Sequence, residues 1–563
     1  MDSVIFLVLR RMRAPLIMLI AIYAVSVLGL ALIPGVDAQG KPAPPMSFFH
    51  AFYFISYTAT TIGFGELPNP FSEAQRMWTI FCIYLTVIGW SYSIVTILGL
   101  VQDKGFQSAF AQIRFSRTVR RIGEPFYLVC GCGETGTLVC SALDRIGTRF
   151  VIVERSEQRV QELDLLAWHS DAPALAGDAR LPQVLCAAGL QHPKCRGVLA
   201  VTNDEEANLA VAIAVRLLHP GIPVLARARS DSVSANMASF GTDHIINPFK
   251  HFAAQLALAV HAPDTFRLEQ LLTGITGEPV PEPHRPPRGD WIVCGYGRFG
   301  HAIASALHGQ GQPVTLITTE LTEDTPHRCV RGASTEAQQQ LDAGIIDAVG
   351  IVAGTDNDIN NLSIAVTARE LNPKIFVVMR QNHAANTALF DAFVGDFALV
   401  PSRLIAQECL AIITTPLLSQ FLDLIRKQEN AWAANLLEQI ESLCGTQVPE
   451  RWGCALNISD ARAAYLHLMA GRPLPLATLL RDAADRSQTL PVVVWMLRRG
   501  KQMTLLPARD TLLQAGDALL MAGAPHAREK LKLGVQNANA LDYLLSGREA
   551  PGGWIWQRWA ERK

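Results

Sequence analysis

At 563 residues the chain has room for about three to five domains. Its 49 Lys and Arg against 50 Asp and Glu leave a net charge of −1, which argues against a mainly electrostatic nucleic-acid binder. Only 18% of residues are charged and the mean hydropathy is positive, which excludes a disordered chain and points to buried membrane segments. The balance is uneven: residues 1–121 carry +5 and the remainder −6. Eleven cysteines in so long a chain make no disulfide scaffold, and none falls between Asp37 and Arg76, so reduced thiols are expected.

Residues 15–36 and 77–101 are uncharged runs of 22 and 25 residues. At about 1.5 Å per residue each can cross a hydrocarbon core of roughly 30 Å as a helix. The first run is longer than the roughly 7–15 residues of a signal-peptide core. Arg10, Arg11 and Arg13 precede the first span, and Lys104, Arg114, Arg117, Arg120 and Arg121 follow the second, which places both ends in the cytoplasm of a multi-pass protein. Between the spans a Gly- and Pro-rich loop leads into an aromatic stretch of helical length, residues 46–57, and then into Thr61, Ile62, Gly63, Phe64, Gly65 and Glu66. A pore that passes a dehydrated cation replaces its water shell with oxygen ligands. A short extended segment does this by aiming successive carbonyls at an axis, with Gly63 and Gly65 supplying the unusual backbone angles. Such backbone is tolerated at membrane depth only where protein or water satisfies it.

Residues 15–101, in the order span, pore helix, filter, span, resemble the pore of two-span potassium channels. The filter departs from the Thr-Val-Gly-Tyr-Gly pattern with Ile62 for Val and Phe64 for Tyr. Glu66 stands where the family usually has Asp. The resemblance implies potassium as permeant ion and about four chains around one axis. No span carries a basic residue at every third position, so no voltage sensor is expected. Gly89 and Gly99 in the second span read equally as hinges or as packing positions.

From Phe126 the pattern becomes strands alternating with helices. A buried strand, 126–130, opens into Gly131, Cys132, Gly133, Glu134, Thr135 and Gly136, and Glu154 follows Gly131 by 23 residues at the end of the next strand. That is the context in which a Gly-x-Gly-x-x-Gly turn holds a dinucleotide, with the acid on a ribose hydroxyl. Asp178 is a second candidate for the adenosine side. The unit recurs: strand 291–294 leads into Gly295, Tyr296, Gly297, Arg298, Phe299 and Gly300, and residues 198–220 align with 351–373 at an offset of 153, with eight identities in 23 pairs, Thr202 with Thr355 and Asn208 with Asn361 among them. This is an internal duplication. The copies differ as ligand sites. Thr318 replaces the acid and Ala333 stands at the position of Asp178, while the second glycine loop offers Arg298 to a phosphate where the first has Glu134. Glu154 favours NAD or an adenine nucleotide over NADP. Apolar helices, 248–272 and 401–425, close the copies and are expected to be dimerisation faces.

The order of these units resembles the prokaryotic regulator-of-potassium-conductance (RCK, TrkA-N-like) family. The expected fold is a membrane α-helical pore domain, two spans plus a pore helix, followed by α/β: two tandem Rossmann-like lobes and a small α+β C-terminal lobe. The expected divisions are a pore domain with linker at 1–121, lobes at 124–277 and 289–430, a C-terminal lobe at 440–530 and a tail at 531–563. A proline-rich linker, 278–290, separates the copies, and strands 505–510 and 513–517 are expected in the last lobe. The resemblance implies a homotetramer with eight lobes in a gating ring, in the cell membrane, opened or closed by NAD or another adenine nucleotide. It leaves room for a divalent cation, although no metal-ligand spacing stands out. No enzymatic role is expected. A non-conducting transporter subunit and a membrane-tethered dehydrogenase compete with this reading, but neither needs residues 61–66.

Overall fold

The computed structural model describes residues 2–37, 41–66, 70–274, 276–277, 279, 285–320, 325–393, 395–445 and 447–547. They form two compact units that divide between Ile122 and Gly123. In the first unit, helices Asp2–Leu32 and Glu73–Gln102 contain the two stretches long and apolar enough to span a bilayer, Met12–Leu32 and Glu73–Gly99. Their outward residues, Ile17, Ile20, Leu28, Tyr84, Ile88 and Val95 among them, are bare in the single chain. The facing sides pack closely. A Cβ on Gly29 would fall 2.0 Å from the Trp78 ring, and one on Gly89 would fall 2.4 Å from Ile22, so Gly89 is a packing position; Gly99 has open space. Helix Phe48–Ala59 is N-capped by Ser47 and buries Ala51, Phe54, Ile55 and Tyr57 against Val27, Leu30 and Cys82. A fourth helix, Lys104–Arg120, completes the unit.

The second unit contains two six-stranded parallel sheets with the same strand order. The first runs Ala174–Ala176, Arg149–Glu154, Phe126–Cys130, Cys195–Ala200, Val224–Arg227, His244–Ile246. The second runs Arg328–Arg331, Val314–Thr318, Trp291–Cys294, Gly350–Ala353, Phe376–Arg380, Phe397–Leu399. This is the doubly wound order, whose crevice at the carboxyl ends of the first and fourth strands binds ligands. The central strands are largely apolar and buried because helices cover both faces, whereas the edge strand Arg328–Arg331 is polar and partly exposed.

The closing helices are exchanged between the copies. Helix Pro248–His261, which follows the first sheet, buries Phe249, Phe252, Leu256 and Val260 in one core with Trp291, Phe299 and Ile303 of the second copy. Helix Pro401–Thr414 returns Ile405, Ala406 and Cys409 to the core of Val129, Val139 and Leu143 in the first. At about 1.5–3 kcal/mol per buried side chain, those first four contribute up to about 6–12 kcal/mol. The stripes expected to be dimerisation faces thus join the two copies within one chain. Beyond each, a proline breaks the helix, and the second pair bends by 113°. The turned segments Pro263–Thr273 and Pro416–Ile425 form a third core with helix Asn430–Cys444 and the inner face of the last lobe, including Trp495 and Leu520.

That last lobe is a four-stranded antiparallel sheet, ordered Glu450–Ala455, Ala518–Gly523, Val492–Arg499, Gln502–Leu505. Of the two expected strands, 505–510 shares only Leu505 with the observed strand Gln502–Leu505, and 513–517 is instead the approach to Ala518–Gly523, where the Asp517 carboxylate turns inward to pair with Arg499 at 2.8 Å. The expected end at 530 moves outward as well. Helices Ala527–Gln536 and Ala538–Ser546 bury Leu531, Val535 and Leu541 in the lobe's core. The Trp-rich segment beyond 547 and much of the proline-rich linker lie outside the described residues.

Candidate functional site

Two constellations carry chemistry, one in each unit. In the first, helix Phe48–Ala59 ends at Thr60 and hands over to residues 61–66, the segment expected to be a filter. The amides of Ile62 and Gly63 both donate to the Tyr57 carbonyl, at 2.9 and 3.2 Å. Thr61, Gly63 and Gly65 have φ of 59°, 63° and 75°, whereas Ile62 and Phe64 between them are not left-handed. A strand alternates its carbonyls between two sides; alternation of the two backbone hands turns them toward one side, as ligation of a cation requires. A left-handed Thr61 is held against its own preference, a form of strain that clusters at functional sites. Ile62 and Phe64 are 61% and 64% exposed in the single chain, a large apolar surface for so short a segment. Phe64 lacks a phenol, and its ring packs edge-on against Tyr57 with centroids 6.0 Å apart. The hydroxyls that hold this segment come from the pore helix: Tyr57 donates to the Glu66 carbonyl at 3.1 Å and Tyr53 to the Glu66 carboxylate at 3.3 Å. Sequence reasoning passed over both tyrosines, although their four-residue spacing on an aromatic helix marks one face.

In the second unit each glycine loop sits at the crevice of its sheet. Gly131 has φ of 90°, and a Cβ there would fall 2.7–2.9 Å from Thr202; a Cβ on Gly136 would fall 2.1 Å from the Gly131 carbonyl oxygen. The strand and helix can approach this closely only as glycine, and Gly133, with open space above it, leaves the helix amides accessible. A cavity of about 250 Å³ opens there, lined by Gly133, Thr135, Glu154, Asp178, Arg180 and Asn203 among others. The Glu154 carboxylate accepts the amides of Cys132 at 2.7 Å and Ser156 at 3.0 Å, so it stands at the mouth of the loop. Asp178 forms a fork with Arg180, 2.6 Å at its shortest, and hydrogen bonds from that guanidinium hold its carboxyl below the usual range.

The second cavity, about 460 Å³, is lined by Gly295, Tyr296, Gly297, Thr318, Gly332 and Thr355 among others. Glu320 also lines it, an acid two residues beyond the expected position. Not every residue singled out in the glycine loops faces a ligand. Phe299 is 1% exposed and packs on Phe249 and Phe252, a core residue and not a cofactor contact. The Cys132 side chain is likewise buried, as is Gly300 beneath its loop. Arg298 does not turn to its own loop: its guanidinium lies 3.7 Å from Glu205 of the first copy. Glu134 in turn accepts the amide of Ala384 in the second copy at 3.2 Å.

The identities in the duplication have a physical reason. Asn208 accepts from the Thr202 amide and hydroxyl and donates to the carbonyls of Thr202 and Arg227; Asn361 does the same with Thr355 and Arg380. This clamp fixes the loop after the fourth strand, and with it the floor of each cavity. Arg180, Asn203 and Arg227 escaped the sequence reading, for only their distance from Asp178 and from the repeated Thr-Asn pair gave any signal. Among the described residues no group of three metal-ligating side chains is close enough to hold an ion.

Residues 17–103 match the ion-channel family model, and residues 127–248 and 291–401 each match the TrkA-N domain. The chain thus matches the ion-channel model once and the TrkA-N model twice. It is 23% identical over 217 residues to potassium channel protein 1 of Methanocaldococcus jannaschii, covering 38% of this chain and 63% of that one. It is 24% identical over 215 residues to the voltage-gated potassium channel Kch of Escherichia coli (strain K12), covering 38% and 49%. The chain therefore spans less than two thirds of the length of these curated relatives. Among solved structures it is similar to the GsuK channel bound to NAD, at 17% identity over 95% of this chain and 99% of that one, with a TM-score of 0.46. In the ion-channel match lie most of the first apolar stretch, all of the second and residues 61–66; in the TrkA-N matches lie both glycine loops, Glu154 and Asp178.

Proposed function

We propose that the protein is a potassium-selective channel of the cell membrane, with both termini cytoplasmic, whose opening is set by NAD or an adenine nucleotide bound at the first TrkA-N domain. The observation that carries this reading is the alternating backbone of residues 61–65 between two membrane-spanning helices, with Glu66 tethered by Tyr53 and Tyr57. One such loop cannot surround an ion. Four chains supply four loops, and with them eight Rossmann-like lobes for a cytoplasmic ring. The exposed Ile62 and Phe64 then have neighbouring chains to rest on.

Glu154 and Asp178 fit a ribose, and the helix amides at Gly133, which lines the same cavity, fit a phosphate. We divide the chain as a pore domain to 121, TrkA-N lobes at 124–277 and 289–430, and a C-terminal lobe from 440. Neither cavity's described lining contains His or Lys to move a proton, which weighs against a tethered dehydrogenase.

The test is ion flux through the purified protein in liposomes, with NAD and ADP added singly. Potassium should pass far better than sodium, and Gly63→Ala should abolish flux. An added Cβ at Gly63 meets nothing within 4 Å, so the effect is conformational, about 1–2 kcal/mol per chain for a left-handed L-residue. Undiminished potassium flux in that variant sinks the filter assignment.

A further inference from the structure

Arg227 and Arg380 are the same residue in the two copies, 153 positions apart, each ending its strand and each fixed through its carbonyl by the Asn clamp. Their side chains meet different partners. The Arg380 guanidinium pairs with the Asp356 carboxylate at 2.7 Å and lies over the rings of Phe249 and Phe299, at 4.7 and 5.6 Å. At the position equivalent to Asp356 the first copy has Asn203. Arg227 is 6% exposed; its Nη1 donates to Asn203 Oδ1 at 2.8 Å and to Thr135 Oγ1 at 3.5 Å, and its Nε has no acceptor. Among the described residues no carboxylate lies within 4.0 Å of it. Glu134 is the acid that acts on it from further off, and Arg229 the base. Burial draws the guanidinium down to about 10, which leaves it charged at neutral pH.

A buried cation without its countercharge is costly, and the same place in the second copy shows the simple remedy. The polarity of the arrangement indicates what replaces that remedy. Because Arg227 occupies Oδ1 of Asn203, the amide's NH2 is left to donate elsewhere. Because it approaches the oxygen of Thr135, the hydroxyl proton is likewise left to donate. Both residues line the first cavity, beside the open turn at Gly133. The rest of that lining is acidic, with Glu134, Glu154, Asp178 and Asp204 against Arg155 and Arg180. The phosphate-facing corner is thus set apart from it by one hidden charge acting through two donors. Asp356, by contrast, offers only acceptors.

We infer that Arg227 and Asn203 together form the anion-recognising corner of the first TrkA-N domain, seating the pyrophosphate of its ligand, and that Asp356 disarms the corresponding corner of the second. Arg227 is a positioning residue here, since it reaches the ligand through Asn203 and Thr135. The inference rests on the nucleotide reading above, and goes beyond it by assigning which copy takes the anion and why.

The experiment is calorimetry on the full-length protein with ADP, adenosine and inorganic pyrophosphate, comparing wild type with Asn203→Asp. Asn203 is exposed, so the substitution is tolerated by the fold and gives Arg227 the carboxylate that Arg380 has. ADP affinity should fall tenfold or more while adenosine affinity stays within twofold, and pyrophosphate should bind wild type only. Equal losses for ADP and adenosine, or no loss for ADP, overturn the inference while leaving nucleotide binding standing. If wild type binds neither ADP nor adenosine, the nucleotide reading fails, and pyrophosphate decides alone: binding that the variant loses supports the anion corner, whereas equal binding or none refutes it.

Discussion

Truncating Phe252 to alanine tests whether the two parallel sheets unfold as one body. Phe252 belongs in sequence to the first copy, yet it is 2% exposed in the core of the second, stacked on Phe397 at 5.0 Å and 26° and set 5.8 Å from Phe299. Loss of a buried Phe costs about 3–5 kcal/mol, of which the aromatic pairing is about 0.5–1.5. For a cooperative unit of roughly 300 residues, at about 2.1 cal/mol/K per residue, that corresponds to a drop of roughly 5–8 °C in Tm. Ile405→Ala perturbs the reciprocal site, the first-copy core reached by a second-copy helix, and should cost about 2–5 kcal/mol. Scanning calorimetry of residues 123–563 should show both substitutions lowering one shared transition. Two separate transitions, each answering to only one substitution, would refute the argument that the exchanged helices make the copies a single body.

Three further predictions concern the sites and the junction. Tyr57→Phe removes the hydroxyl that holds the Glu66 carbonyl, worth about 0.5–1.5 kcal/mol, and should raise sodium leak or shorten open periods in single-channel records; unchanged selectivity and open times would show the tether to be idle. Glu154→Ala should weaken ADP binding by about 1–3 kcal/mol and also destabilise the loop, since the Cys132 and Ser156 amides lose their acceptor, whereas Glu154→Gln should keep more of the stability than of the affinity; full ADP affinity in either variant removes Glu154 from the ribose. At the junction His251 lies 3.2 Å from Glu408, and although burial opposes its charge, that carboxylate outweighs burial and leaves its pKa raised. Its pairing therefore stabilises the fold fully below about pH 6.5 and is lost as pH rises through the raised value, so the stability gap between wild type and His251→Gln should shrink from pH 6 to pH 9 in urea titrations, and a pH-independent gap would contradict the pairing.

Much of the architecture was legible because its signals are local. A buried strand running into Gly131 and an acid 23 residues later specify a turn, a close approach and an acceptor within one stretch of chain. A duplication doubles that information. What the residues did not disclose is non-local. The stripe Phe249, Phe252, Leu256 and Val260 shows that a face is buried but not by which core, and only the fold assigns it to the second copy. Arg298 looked like a phosphate ligand because a glycine loop precedes it, yet its target, Glu205, is contributed by the other copy. Phe299 entered the candidate site by its position in the motif, yet its ring turns into the core, unlike the equivalent Thr135, which lines the first cavity. Arg227 was hidden for the opposite reason: nothing near it in sequence departs from an ordinary strand end, and its meaning appears only beside Arg380 and Asp356.

The exchange of helices and the asymmetry of the two arginines bear on the same question, how a modest ligand could move a gate. Taking a gate from 1% to 99% open requires a ligand to favour one state by about 5.5 kcal/mol in all. In the tetramer we propose, that is about 1.4 kcal/mol per chain, a tenfold preference at each site, which one well-placed anion contact can supply. For so small a preference to be useful it must not be dissipated within the chain. Were the lobes joined only by the proline-rich linker, a change in the first cavity could relax locally before reaching the second copy. With Ile405 and Cys409 seated in the first core and Phe249 and Phe252 in the second, displacement of either sheet displaces a helix rooted in the other. A single occupied cavity per chain then suffices to move both lobes, and the second copy, its arginine already neutralised by Asp356, is free to serve as a mechanical partner without a ligand of its own.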